Sequence, residues 1–318
     1  MESGRQTAVS GPRIALSRVA QGPMTRRALG LGMAGLIGVA AFAPSSRRSA
    51  AGRTPAGSTV RSHRSFLIYY GSQYDSVPGP YSLVALEDHA GAAAVVQKHP
   101  GTTFLCYLSL VEVHSGRAFY PRLRAAGIVG EANPNWPDAR FIDVRNPVWR
   151  DLLVRELVPR ILVKGYRGLF IDTLDSAEAL EQRDPGRFGG MIAAAGDLVR
   201  TIRDAFPGME IMINRGYAVL PRIVGQFDYL LGESLRGTFG PGAESYRLLS
   251  DEDVKWQLAR MFEARDRDPR LQLFSLDYWN PNDLAGLVRL YAEARATGLT
   301  PYVATPDLMQ IVPEPLLR

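Results

Sequence analysis

The 318-residue sequence predicts a single-domain α/β protein, a (β/α)8 TIM barrel preceded by a leader. Three observations predict it: eight short apolar, β-favouring runs spread over about 250 residues, helical periods between them, and polar or charged side chains directly after most runs. The runs are residues 66–70, 83–86, 103–108, 168–171, 210–213, 229–231, 271–276 and 301–304. Each is short and predominantly apolar, as strands covered on both faces should be. A doubly wound open sheet is the competing layout.

Helix punctuation supports the alternation. Asn146-Pro147 offers an N-cap followed by proline at the first helical position. Val148, Leu152, Leu153, Leu157 and Ile161 follow at near-helical spacing, and Gly165 closes the segment. Asn280-Pro281 predicts a second opening of this kind, with Leu284, Leu287, Val288 and Tyr291 on one face and Gly298 at the end. Ser250 with Asp253 three residues on marks a third start. Met191, Ile192, Ala195, Leu198, Val199 and Ile202 form a fourth apolar stripe. Residues 140–144 form an extra short strand inside the third crossover. Trp149 and Trp256 fall on helices and are expected to pack.

The basic balance of the chain belongs to its beginning. Residues 1–60 hold eight Arg and one Glu, so the remaining 29 basic and 31 acidic residues leave a slightly acidic body. Composition therefore gives no argument for a nucleic-acid partner. Residues 24–43 place Arg26-Arg27 before a 16-residue Gly-rich apolar stretch that ends in Ala41-Phe42-Ala43. That is short for a membrane span, which needs about 20 residues. It reads as an export signal, twin-arginine-like or Sec, or as an N-terminal anchor. Residues 44–62 read as a flexible linker, so the leader covers 1–62 and the barrel 63–318. The body has no second stretch of spanning length, and the protein is expected to be periplasmic or extracellular.

In a barrel, chemistry gathers at the C-terminal ends of the strands. Those ends carry Tyr69-Tyr70, Glu112, Asp172 with Asp175, Asn214-Arg215 with Tyr217, Glu233 with Arg236, and Asp277-Tyr278-Trp279. Two carboxylates with aromatics, amides and Arg are the set that glycoside hydrolysis requires. One acid protonates the leaving oxygen, the second acts as nucleophile or as base toward water, and aromatic faces stack on sugar rings. The four histidines show no zinc-ligand spacing, and no Gly-rich phosphate loop opens a helix, so no cofactor is expected. Asp172, Asp175 and Glu178 fall three apart and could instead hold a hard cation. Cys106 sits in an apolar run and reads as a small buried hydrophobe.

Five stretches then carry a resemblance. They are Tyr69-Tyr70-Gly71, the segment 107–114, the segment 165–176 containing Gly168-Leu169-Phe170-Ile171-Asp172, Ile213-Asn214-Arg215-Gly216-Tyr217, and Gly232-Glu233-Ser234-Leu235. In order and spacing the sequence resembles the endo-α-1,4-polygalactosaminidase group, including the hydrolase domain of the Pel exopolysaccharide protein. The resemblance spans roughly residues 66–307. It implies a (β/α)8 barrel, internal cleavage of galactosamine or N-acetylgalactosamine polymer, and Asp172 and Glu233 as the catalytic residues. Tyr69, Tyr70, Glu112, Asp175, Asn214, Arg215, Tyr217, Arg236, Asp277, Tyr278 and Trp279 are the expected substrate contacts. A polysaccharide is the expected partner, and no deacetylase activity is expected of this chain. A non-catalytic polysaccharide-binding barrel is the alternative.

Overall fold

The computed structural model describes residues 63–89, 91–240 and 245–315, and the leader expected at 1–62 lies outside them. Eight parallel strands follow one another in a single sheet. They are β1 (Phe66–Tyr69), β2 (Leu83–Leu86), β3 (Thr103–Ser109), β4 (Gly168–Asp172), β5 (Glu210–Asn214), β6 (Tyr229–Glu233), β7 (Gln272–Tyr278) and β8 (Thr300–Ala304). The sheet curls until its edges meet: the Phe66 and Tyr302 rings lie 5.9 Å apart, and Tyr70 N donates to Leu308 O at 2.8 Å. The result is a nearly closed (β/α)8 barrel. All eight expected strands are present.

Side chains alternate across each strand, so every stave has an inner face. Phe66 meets Phe274 at 4.9 Å, and Phe274 meets Tyr229 at 5.7 Å, which identifies the lower interior layer. Tyr229 Oη donates to Glu210 Oε2 at 2.7 Å within that layer. Counting two residues at a time from these positions brings Tyr70, Tyr107, Asp172, Asn214, Glu233 and Tyr278 to the inner face at the C-terminal mouth. Phe66, Tyr229 and Phe274 are fully buried, so removing one such aromatic would cost about 3–5 kcal/mol.

Several helices begin where the sequence places them. Asn146 caps Pro147–Leu152 by accepting from Val148 N, and Ser250 caps Asp251–Arg267 by accepting from Asp253 N. Met191–Ala205 is a single amphipathic helix. The segment after Pro147 is less regular than expected. Pro159 has no N–H to give the carbonyl of Arg155, and Leu153–Leu157 form a π-turn before Val158–Val163 resumes.

Other expectations are corrected. Asn280-Pro281 opens no helix: Asn280 Oδ1 accepts from Asn282 N in a turn, and Asp283 caps Leu284–Ala296 instead. Residues 70–82 between β1 and β2 contain no helix. The third crossover carries a three-stranded antiparallel sheet, Glu112–His114, Val129–Asn133 and Trp136–Ile142, rather than one extra strand. Trp149 packs as expected, with Nε1 donating to Leu110 O at 2.9 Å. Trp256 is 36% exposed and lies under the Arg260 guanidinium, 3.8 Å from the ring centre. No helix among the described residues is long and apolar enough to cross a membrane.

Candidate active site

Three consecutive staves end in the same way. Asp172, Asn214 and Glu233 are the last residues of β4, β5 and β6, and each is followed by a non-glycine residue in the left-handed region. These are Thr173 at φ 67°, Arg215 at φ 51° and Ser234 at φ 49°. Such conformations cost of order 1–3 kcal/mol each and persist where the surroundings over-determine them. Here each reversal is pinned by the adjacent stave. Leu110 N donates to Asp172 O, Arg215 N to Leu231 O and Ser234 N to Leu276 O, at 2.7–3.0 Å. Thr173 Oγ1 also accepts from Val111 N at 3.0 Å. The chain turns sharply after the inward side chain, which leaves that side chain fixed at the mouth.

One amide joins the two acids. Asn214 Nδ2 donates to Asp172 Oδ1 at 2.9 Å and to Glu233 Oε2 at 2.6 Å, so these two oxygens are at most about 5.5 Å apart. Tyr107 Oη donates to Asp172 Oδ2 at 3.0 Å, and Tyr278 Oη to Glu233 Oε1 at 2.7 Å. Tyr70 packs edge-on against Tyr107 at 5.0 Å. The ring is tight: Asp172 is 4% exposed and Glu233 8%. Burial pushes the Glu233 carboxyl up to about 7, and the Asp172 charge adds to the rise, while the bonds from Asn214 and Tyr278 pull it down. Two acids close together, one of them raised to about 7 so that it still carries protons near neutral pH, can divide the work of proton donor and nucleophile.

The remaining candidates sit at different distances from this pair. Arg215 turns to Asp175, Nε to Oδ2 at 3.1 Å, and Asp175 also accepts from Gly216 N at 2.8 Å. Gly216 has φ 61°, and a Cβ there would come within 2.7 Å of Leu174. The Asp172, Asp175 and Glu178 set does not come together as a cation site: Asp175 is engaged by Arg215. No group of three His, Cys, Asp or Glu side chains among the described residues is placed to hold a metal ion. Tyr217 is buried, donating to Gln257 Oε1 at 3.0 Å and meeting Trp256 edge-on at 5.4 Å. Glu112 is buried just beyond β3, accepting from Asn133 Nδ2 at 3.0 Å and Ser176 Oγ at 2.5 Å. Burial pushes its carboxyl up to about 7.

Four of the predicted contacts point elsewhere. Tyr69 alternates to the outer face, where its hydroxyl donates to Gln73 O at 2.8 Å. Asp277 likewise faces away from the mouth and accepts from Arg236 N and Gly237 N at 2.7 and 2.8 Å, stapling the hairpin Gly237–Phe239/Tyr246–Leu248. Arg236 reaches Glu293 and Asp251, and Trp279 Nε1 donates to Asp283 at 2.8 Å. Two mouth residues are absent from the sequence-derived set, Tyr107 and Glu87. Both follow from strand alternation: Leu83, Ala85 and Glu87 share a face, as do Leu105 and Tyr107. Cys106, between them, is buried as expected.

Comparison with known proteins finds relatives of this chain and a matching family. The chain is similar to the glycoside hydrolase domain of PelA from Pseudomonas aeruginosa, at 26% identity and a TM-score of 0.69, covering 80% of this chain and 99% of that one. It shares its fold with Ega3 of Aspergillus fumigatus, at 14% identity and a TM-score of 0.57, covering 79% and 93%. An uncharacterized protein of Thermotoga maritima is 22% identical over 191 residues, and the match covers 57% of either chain. The sequence profile of glycoside-hydrolase family GH114 matches residues 46–315, so the chain belongs to that family and is a glycoside hydrolase.

Proposed function

We propose that this enzyme cleaves α-1,4-linked galactosamine or N-acetylgalactosamine polysaccharide internally, with Asp172 as nucleophile and Glu233 as acid and base. The observation that carries the reading is the amide bridge, which ties the two carboxylates to one nitrogen at the mouth of the barrel. Supporting the substrate class are the resemblance along residues 66–307, the similarity to the PelA hydrolase domain, and the galactosamine bound by Ega3.

The roles follow from electrostatics. Glu233, raised to about 7, carries the proton that the leaving oxygen needs. Asp172 attacks the anomeric carbon, forming a glycosyl ester as the C–O bond to the leaving sugar breaks and Glu233 delivers its proton. Ionised Glu233 then takes a proton from water, which displaces Asp172. Retaining enzymes hold their carboxyl groups about 5–5.5 Å apart, whereas inverting ones need roughly 6.5–9.5 Å to admit a water. The bridged separation favours retention. The leader reading at 24–43 adds export to the proposal, which matches an extracellular polymer as substrate.

The test is to follow cleavage of an α-1,4-galactosamine oligomer by proton NMR. The reading expects internal cuts whose first-formed reducing ends are α. First-formed β anomers would contradict retention, and no cleavage of either acetylated or free polymer would contradict the substrate.

A further inference from the structure

A cavity of about 410 Å³ opens beside β3 and is lined by Glu87, Tyr107, Glu112, His114, Arg117 and Lys164, among others. That volume suits a small ligand. Neither Asp172 nor Glu233 lines it, but Tyr107, which donates to Asp172, belongs to both the cavity and the catalytic ring. Glu87 stands one residue past β2 on the inner face and is 1% exposed. Its Oε1 is held by Arg117 Nη1 at 2.6 Å. Its Oε2 is buried with no hydrogen-bond partner in the protein. An unmet acceptor of that kind costs about 1–3 kcal/mol, more when charged, and marks a place where a donor from outside the protein is wanted.

We propose that this cavity is a sugar subsite next to the reacting unit, in which Glu87 Oε2 accepts a hydrogen bond from a hydroxyl or ammonium of the bound polysaccharide. The assignment rests on the hydrolase reading above and deepens it. An ionised carboxylate only accepts hydrogen bonds, so the subsite takes a unit that presents a donor and refuses one that presents a carboxylate, as a uronic acid would. Tyr107 then links the subsite to the nucleophile, because the ring that walls the cavity also orients Asp172. Arg117 fixes the other Glu87 oxygen, which leaves Oε2 as the one without a partner.

The experiment is steady-state kinetics of the full protein on a defined galactosamine oligomer, comparing wild type, Glu87→Gln and Glu87→Asp, with a thermal melt of each. Glu87→Gln keeps the shape and can still accept from Arg117, but it removes the charge. The expected result is a KM raised about tenfold for Glu87→Gln, the loss carried by KM rather than kcat, with a melting temperature near wild type. Glu87→Asp keeps the charge and should recover part of the loss, which also reads the subsite should the Gln variant fold poorly. An unchanged KM in both variants, or a lowered melting temperature without a KM change, overturns the subsite while leaving the hydrolase reading intact. A wild-type protein that cleaves no galactosamine oligomer overturns both.

Discussion

Asn214 Nδ2 lies 2.6 Å from Glu233 Oε2, and its second hydrogen points to Asp172. The amide therefore sets the spacing of the acids and holds the Glu233 carboxyl lower than burial alone would place it. Asn214→Ala should lower kcat about a hundredfold and shift the alkaline limb of the kcat/KM profile to higher pH. A pH–rate profile from 4 to 9 checks both. An alkaline limb that stays in place would show that Asn214 does not tune Glu233.

Tyr278 supplies the other donor, at 2.7 Å from Glu233 Oε1. Since Glu233 must enter the reaction protonated and stands near 7, activity should fall as pH rises through about 7. Tyr278→Phe removes a bond that favours the ionised form, so this fall should move upward in pH, with kcat lowered about tenfold. The same profile reads it. A downward shift would contradict the assignment of Glu233 as the acid.

Glu112 makes stability depend on pH. Its folded carboxyl, raised to about 7 by burial, binds a proton more tightly than the unfolded group, whose ordinary value is 4.5. The resulting stabilisation is complete below about 4.5 and is lost as pH rises through 7. Asp277, raised to about 6, acts in the same direction. The wild-type melting temperature should thus fall between pH 5 and 8, and Glu112→Gln should flatten that slope by roughly 1–3 kcal/mol. Calorimetry across this range tests it, and an identical slope in the variant would count against it.

Thr173 ties β4 to the turn after β3. Its hydroxyl accepts from Val111 N, whereas Leu110 N has Asp172 O as a second acceptor. Thr173→Val leaves the Val111 amide buried and unmet, which should cost about 1–3 kcal/mol, or several degrees of melting temperature. Urea unfolding measures the loss. A variant as stable as wild type would mean that another group satisfies Val111.

The barrel was legible in the sequence because its staves are short apolar runs and Asn146 and Ser250 mark two helix starts. The strand ends were less so. Asp172, Asn214, Glu233 and Tyr278 read as residues after the strands, yet each still belongs to the ladder. Polarity marked the end of the apolar run, not the end of pairing. Asp172 and Glu233 were legible through their neighbours in sequence, but the bridge between them was not, because it joins side chains from three staves. Nearness to a strand end does not give the face: Asp277 and Tyr278 are neighbours, yet only Tyr278 turns to Glu233 at the mouth. Glu87 and Tyr107 were missed for the complementary reason: one follows a plain apolar strand and the other lies inside one. Thr173, Arg215 and Ser234 are themselves neither glycine nor asparagine, so residue type does not announce their left-handed backbone.

The most direct test of the paired-carboxylate account is the cleavage rate of an α-1,4-galactosamine oligomer by Asp172→Asn and Glu233→Gln, followed by mass spectrometry. Both variants should be slower than wild type by about a thousandfold or more while melting cooperatively like it. Either variant cutting within tenfold of the wild-type rate would contradict the account.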